Sequence, residues 1–203
     1  MSFEKQIVSC PEAGESCIYA THSPGLKVYI SEKKNFAANY AVFGTRYGSV
    51  DTEFALGGEN MHKTPEGIAH FLEHKLFEGE DGDAFEKYAV TGALANAYTS
   101  FDRTCYLFSC ADRFYENLDI LLSFVTSPYF TPETVNKEQG IIGQEIRMYE
   151  DAPGWRVLFN LFRIMYSNHP VKVEIAGTVS SIAKITDKTL YDCYNTFYDP
   201  SNM

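Results

Sequence analysis

The amino-acid sequence predicts an α+β fold: a mainly antiparallel sheet with helices packed on one face. Two observations support this. Strand-like runs come in hairpin-like pairs, and amphipathic helical runs follow them in a block. A chain of 203 residues with 45% hydrophobic residues is long enough to bury a core. No internal repeat or low-complexity tract interrupts the pattern, so we treat residues 1–203 as one domain.

The predicted strands fall into two pairs. Residues 26–34 predict a strand that ends in a charged turn, and residues 35–51 predict a second strand broken near two glycines. Together they predict a hairpin. Residues 94–110 predict two further strands joined near Phe101–Arg103. Cys105 and Cys110 lie in this second aromatic run and are expected to be buried as small hydrophobic residues.

Helices are predicted from apolar residues at helical spacing and from start signals. The predicted helices cover residues 64–77, 82–92, 111–128, 131–151, 155–166 and 187–200, and residues 55–63 before them are predicted as loop. Thr64 is expected to cap the first helix, with Pro65 at the first helical position. Thr131 and Pro132 repeat that start signal, so the fourth helix is expected to begin there.

Charge and cysteine content restrict the partners and the compartment. The net charge of −10 argues against nucleic acid and anionic membranes as partners, because both need a basic patch. The five cysteines are odd in number and include no CxxC pair, which indicates a reducing compartment. No signal peptide and no apolar run of transmembrane length is recognised. We therefore expect a cytoplasmic location with no membrane partner.

The segment HFLEH, within the first predicted helix, places two histidines one helical turn apart. His70 and His74 project to one side of the helix, and Glu73 lies on the other flank of that same face. The opposite face carries the apolar residues Ile68, Phe71 and Leu72. Two imidazoles at this spacing can chelate one metal ion. The alternative is a buried helix whose two histidines are satisfied by ordinary hydrogen bonds.

The helix predicted over residues 131–151 carries two glutamates on one face. Glu138 and Glu145 are seven residues apart, almost two full turns, and share that face with Ile142 and Tyr149. Carboxylates on a half-buried helix face need a positively charged partner, and a metal ion would be such a partner. The alternative is a solvated acidic stripe. The spacing leaves both interpretations open.

These residues together suit metal-assisted hydrolysis of an amide. Catalytic zinc commonly takes two histidines, one glutamate and a water. Neutral His70 and His74 with anionic Glu145 leave zinc one net positive charge, and the pKa of the water falls toward about 7. Glu73 is placed to accept the proton of that water and return it to a leaving amine. Iron in an oxygenase is an alternative for such a ligand set, but the adjacent Glu73 favours hydrolysis.

The sequence resembles a known protein family. H-x-x-E-H is the inverted zincin motif, and GIAHFLEHKLFEG resembles the pitrilysin/insulinase family of zinc peptidases, which includes the mitochondrial processing peptidase. Further similar segments follow in the family's order: GALANAYTSFDRTCYLF, KEQGIIGQEIRMYED, HPVKVEIAGTVSSIAKIT and YNTFYDPSNM. The resemblance covers nearly the whole chain and implies a processing-peptidase-like domain.

The resemblance also implies roles for individual residues. The implied zinc ligands are His70, His74 and Glu145. The implied catalytic residues are Glu73, as the base, and Glu138, as a supporting acid. An edge strand that pairs with extended substrate is implied for Asn96, Ala97 and Thr99; without the resemblance this stretch would be an ordinary strand with small side chains. The implied function is a zinc metalloendopeptidase that hydrolyses peptides or small unfolded polypeptides.

Two features depart from the family pattern. His169–Pro170–Val171 stands where many members have His-Pro-Tyr, and in the family the segment at Met203 leads into another strand and a second, similar half. The resemblance therefore implies that residues 1–203 are the N-terminal catalytic domain of a longer two-domain chain. The expected partners are a peptide substrate and a C-terminal half or homologous subunit, with self-association through an unfinished sheet edge. The alternative functions are a non-catalytic partner subunit and a metal hydrolase of a non-peptide substrate.

Overall fold

The structure is a computed structural model that describes residues 4–23, 25–55 and 61–203. The strands within these residues are β1 (Glu4–Cys10), β2 (Glu15–His22), β3 (Leu26–Ile30), β4 (Asn39–Thr45), β5 (Glu53–Ala55), β6 (Met61–Lys63), β7 (Glu78–Gly79), β8 (Gly82–Asp83), β9 (Leu94–Thr99) and β10 (Thr104–Cys110). The helices are α1 (Ile68–Leu76), α2 (Ala84–Thr91), α3 (Phe114–Thr126), α4 (Pro132–Glu150), α5 (Pro153–Met165), α6 (Val179–Ile182) and α7 (Asp187–Phe197). Among these helices, none is both long enough and apolar enough to cross a membrane.

The sheet that carries the core has the strand order β4-β10-β9, and both pairings are antiparallel. Tyr106 and Phe108 of β10 point to one face and are fully buried. The other face exposes residues such as Tyr40 and Leu94. α1, α2 and α3 pack on the buried face, so the predicted α+β fold with helices on one face is confirmed.

The strand pair predicted over residues 94–110 is confirmed as β9 and β10, and Cys105 and Cys110 are buried. The hairpin predicted over residues 26–51 is wrong. β3 pairs with β2 in a separate three-stranded sheet, β1-β2-β3, while β4 pairs with β10. Both partners lie outside the segment, so local turn signals could not reveal the pairing.

The fourth predicted helix begins as expected. The hydroxyl of Thr131 accepts a hydrogen bond from the backbone N–H of Thr134, and Pro132 occupies the first turn of α4. The other predicted helices over 82–92, 111–128, 155–166 and 187–200 correspond to α2, α3, α5 and α7. Gly92 closes α2 with a φ of 76°, as its position in the sequence indicates.

The predicted start of the first helix at Thr64 is wrong, because α1 begins at Ile68 after Gly67. Gly67 has a φ of 88°, and a Cβ there would lie 2.3 Å from the carbonyl oxygen of Ala176. A contact with a segment more than a hundred residues away therefore decides where α1 starts. The predicted loop over 55–63 is wrong at its ends, which form β5 and β6, and its residues 56–60 lie outside the described residues.

Candidate metal centre and active site

The candidate site forms where α1 packs against α4 at the side of the sheet that ends in β9. The apolar face of α1 anchors it, since Ile68, Phe71 and Leu72 are buried in the core. The opposite face of α1 turns its histidines toward α4. This arrangement follows the sequence pattern, in which the titratable and apolar residues of α1 occupy opposite faces.

Three side chains converge between the two helices. Nε2 of His70 lies 3.6 Å from Oε1 of Glu145, and Nε2 of His74 lies 3.5 Å from Oε2 of the same carboxylate. One ligand atom from each of the three residues lies within 4.8 Å of the others. Two imidazole nitrogens and one carboxylate oxygen are the donor set common in catalytic zinc sites. The residues present therefore fit a zinc ion.

A contact behind His74 fixes the orientation of its ring. Nδ1 of His74 lies 3.0 Å from Oε1 of Glu138, which is itself buried on α4. A carboxylate only accepts hydrogen bonds, so this contact assigns the proton of a neutral His74 to Nδ1 and leaves Nε2 free. Burial opposes protonation of His74, but the hydrogen bond to Glu138 and the nearby glutamate charges raise its pKa overall.

His70 is held as a neutral imidazole. Its burial, followed by the proximity of His74, lowers the pKa of His70 to about 3. Nδ1 of His70 has no hydrogen-bond partner among the residues that the structure describes. A neutral imidazole has a lone pair on one of its ring nitrogens, and Nε2 is the nitrogen of His70 that faces Glu145.

Glu73 lies beside the three convergent residues but makes a different contact. The hydroxyl of Thr99 on β9 donates a hydrogen bond of 2.6 Å to Oε2 of Glu73. Burial raises the pKa of Glu73, and the hydrogen bond from Thr99 acts in the opposite direction without cancelling that rise. A raised carboxyl pKa beside a candidate metal site suits a group that accepts and later releases a proton.

These residues open into a cleft of about 320 Å³. Its lining includes His70, Glu73, His74, Asn96, Ala97, Thr99 and Glu145. Seven of the eight site residues predicted from the sequence thus border one cleft, and the eighth, Glu138, lies behind His74. The structure brings all eight together; their roles remain predictions.

The edge of β9 borders the cleft and is unpaired within the described part of the chain. The N–H of Ser100 donates to the carbonyl of Arg103 at the turn into β10. Hydrogen-bonded and non-hydrogen-bonded pairs alternate along an antiparallel ladder, so the backbone groups of Ala97 and Thr99 point away from β10. In agreement, the N–H of Ala97 donates to Oδ1 of its neighbour Asn96, at 2.9 Å.

The structure adds two aromatic residues that the sequence did not assign to the site. Tyr149 donates a hydrogen bond of 2.9 Å from its hydroxyl to Oε1 of Glu145, and burial raises the pKa of Tyr149 to about 12. Trp155 stacks on the Tyr149 ring with centroids 5.0 Å apart. The available sequence signals were the spacing of four residues between Glu145 and Tyr149, and the fact that Trp155 is the single tryptophan of the chain.

Comparison with known proteins identifies the family of the chain. Residues 55–179, more than half of the chain, match the family model described as insulinase, peptidase family M16. The chain is 55% identical over 190 residues to the uncharacterized zinc protease YmfH of Bacillus subtilis, an alignment that covers 93% of this chain and 44% of that protein. The curated relative is thus more than twice as long as the part that this chain matches.

Solved structures agree with the match. A crystal structure of an M16-like peptidase from Alicyclobacillus acidocaldarius superposes with a TM-score of 0.87 at 44% identity, over 100% of this chain and 45% of that one. Pitrilysin superposes with a TM-score of 0.81 at 16% identity, over 100% of this chain and 22% of that one, which shows a shared fold. The chain therefore belongs to the insulinase family of peptidases, family M16.

Proposed function

We propose that the chain is the zinc-binding catalytic domain of a metalloendopeptidase that hydrolyses peptides or small unfolded polypeptides. The observation that carries this proposal is the convergence of His70, His74 and Glu145 at one end of a cleft that also holds Glu73 and an open strand edge. A metal site, a base and a surface for extended backbone are the parts that metal-assisted peptide hydrolysis requires.

Each residue has a defined task in this proposal. His70 and His74 would offer their Nε2 atoms, and Glu145 would supply the anionic ligand. A zinc ion held by these three residues would supply a water of lowered pKa and a Lewis acid for the substrate carbonyl. Glu138 holds the His74 ring through Nδ1, which keeps Nε2 directed at Glu145.

Glu73 moves the proton. Its Oε2 is engaged by the Thr99 hydroxyl, so Oε1 remains to take a proton from the attacking water and deliver it to the departing amide nitrogen. The Thr99 contact also fixes the rotamer of Glu73, because it ties the carboxylate to β9. Anchoring one oxygen in this way favours transfer through the other.

The edge of β9 positions the substrate backbone. Ala97 and Thr99 direct backbone groups away from β10, and an extended peptide can add to that edge as a further antiparallel strand. Asn96 then exchanges its contact with the Ala97 N–H for one with the substrate. Main-chain pairing of this type depends little on side chains, which suits a peptidase for unfolded polypeptides.

We further propose that the 203 residues act as one half of a longer protein, either with a C-terminal half or with a homologous subunit. The support is length: the chain matches 44% of YmfH and 45% of the Alicyclobacillus peptidase. A second half would close the cleft from the other side and hold the substrate in register. Positioning of this kind is worth several kcal/mol, about 7–11 in the best oriented cases, so the isolated chain is expected to cleave poorly.

The test is cleavage of an unstructured fluorogenic peptide by the full gene product that contains this chain. We expect cleavage that a chelator abolishes and that added zinc restores. The isolated 203-residue chain, measured beside it, should bind zinc but turn over slowly. Chelator-insensitive cleavage, or a zinc-loaded full product that cleaves no peptide, would overturn the proposed function.

A further inference from the structure

Tyr149 lies one helical turn after Glu145 on α4 and approaches its carboxylate. The Tyr149 hydroxyl donates a 2.9 Å hydrogen bond to Oε1 of Glu145. Residues four apart on a helix lie on the same face, so this contact needs no distortion of α4. Hydrogen bonds to an ionised carboxylate are stronger than neutral ones, which makes this contact effective at restricting the Glu145 side chain.

The two oxygens of Glu145 are in different environments. Oε1 accepts the Tyr149 hydroxyl and faces His70, whereas Oε2 faces Nε2 of His74 at 3.5 Å. Apart from the approach of His74 Nε2, Oε2 accepts no hydrogen bond from the residues that the structure describes. Tyr149 thus occupies one oxygen of the carboxylate and leaves the other open.

The ring of Tyr149 is itself supported. Trp155, in the first turns of α5, stacks on it at 5.0 Å between centroids with an interplanar angle of 24°. Trp155 in turn contacts the buried ring of Phe159 at 5.1 Å. A side chain held by a stack on one face and a hydrogen bond at its tip has few rotamers left. A continuous series of contacts therefore connects the buried Phe159 of α5 with the Glu145 carboxylate.

We infer that Tyr149, backed by Trp155, is a positioning residue that orients Glu145 so that Oε2 is presented to the metal ion. This inference rests on the proposed zinc site. It completes a pattern in which Glu138 orients His74 while Tyr149 orients Glu145. Partners of this kind set the geometry and affinity of a metal site without touching the ion.

The test is metal affinity, measured by competition with a chelating dye in the full gene product that contains this chain. Tyr149→Phe removes only the hydroxyl and keeps the stack on Trp155. We expect zinc to bind about 10–100-fold more weakly than to the wild type. Tyr115→Phe is the matched control, since Tyr115 is 80% exposed on α3, and it should bind zinc like the wild type.

Two further measurements separate positioning from a general loss of structure. The visible absorption of bound Co²⁺ should change in Tyr149→Phe, because it reports the arrangement of the ligands, while the far-UV circular dichroism should stay that of the wild type. Trp155→Leu should also weaken zinc binding, and Trp155→Phe should restore most of it by restoring an aromatic face.

The outcomes are distinguishable. If Tyr149→Phe binds zinc as tightly as the wild type, with an unchanged Co²⁺ spectrum, the inference is overturned while the zinc site stands. If the wild type itself binds no zinc, the proposed function fails, and the inference fails with it.

Discussion

Gly67 offers a direct test of how the fold positions α1, the helix that carries the proposed zinc ligands His70 and His74. It precedes α1 with a φ of 88°, and a Cβ there would lie 2.3 Å from the carbonyl oxygen and 2.8 Å from the carbonyl carbon of Ala176. Gly67→Ala therefore imposes a left-handed conformation on a residue with a Cβ, which costs about 1–2 kcal/mol. Displacing the packed backbone at residue 176 adds about 1–3 kcal/mol.

The combined loss is about 2–5 kcal/mol in the free energy of unfolding, taking those two costs together. For a chain of this length each kcal/mol lowers Tm by about 2–4 °C, so we expect Gly67→Ala to melt about 4–20 °C below the wild type. His70 follows Gly67 by three residues, so zinc affinity should fall as well. The assay is thermal unfolding by far-UV circular dichroism, paired with a zinc titration.

Gly140→Ala is the matched control. Gly140 is exposed within α4, and a Cβ there would meet nothing within 4 Å. Alanine is the better helix former, so this variant should gain about 0.5–1 kcal/mol. A Gly67→Ala protein that melts at or above the wild-type temperature would refute the argument that close packing against residue 176 requires glycine at the start of α1.

Three further predictions concern the site. Glu145→Gln should weaken zinc binding strongly because it removes the anionic ligand, and Glu138→Gln should weaken it less, by about 10–100-fold. Glu133→Gln is the charge-matched control. If Glu145→Gln binds zinc as tightly as the wild type, Glu145 is not a ligand. Ala97→Pro should reduce peptide cleavage in the full gene product and retain zinc, because the lost N–H points away from β10. Ala97→Ser is the control and should cleave normally. Loss of zinc in Ala97→Pro would contradict the outward direction of the Ala97 N–H on the edge of β9. Supplying the second half as a separate chain should raise the cleavage rate of the 203-residue chain greatly, and equal rates with and without it would refute the two-half proposal.

The parts of the fold that the sequence predicts are those set by local periodicity and capping. The spacing of His70 and His74 against the apolar residues of α1 places both rings on one face, and Thr131 with Pro132 marks the start of α4. These patterns predict only in part that α1 packs against α4. The proximity of Glu145 to both histidines depends on packing in the core, which the spacing leaves open.

Two of the errors have a common physical cause, since each involves partners distant in the chain. Thr64 and Pro65 form a good local start signal, yet the contact of Gly67 with Ala176 moves the start of α1 to Ile68. β4 pairs with β10 rather than with β3, its neighbour in sequence. The strands β1 and β2 pair locally and are missed for another reason: residues 5–10 of β1 are exposed, and neither strand shows clear apolar alternation.

The contacts that orient the site residues also cannot be predicted from the sequence. Tyr149 was placed on the correct face of α4 by spacing, but its hydrogen bond to Glu145 depends on a rotamer that Trp155 supports from another helix. The Thr99 hydroxyl reaches Glu73 only because β9 passes beside α1. Side-chain contacts of this kind follow from tertiary packing.

Glu73→Gln tests the central claim most directly, with zinc content and peptide turnover measured on the same preparation of the full gene product. The substitution keeps the size and the Thr99 contact of the side chain but removes the base. We expect zinc content equal to that of the wild type and turnover lower by about 10²–10⁴-fold or more, because one positioned group contributes that much and Glu73 acts twice. Full turnover in Glu73→Gln would contradict the account.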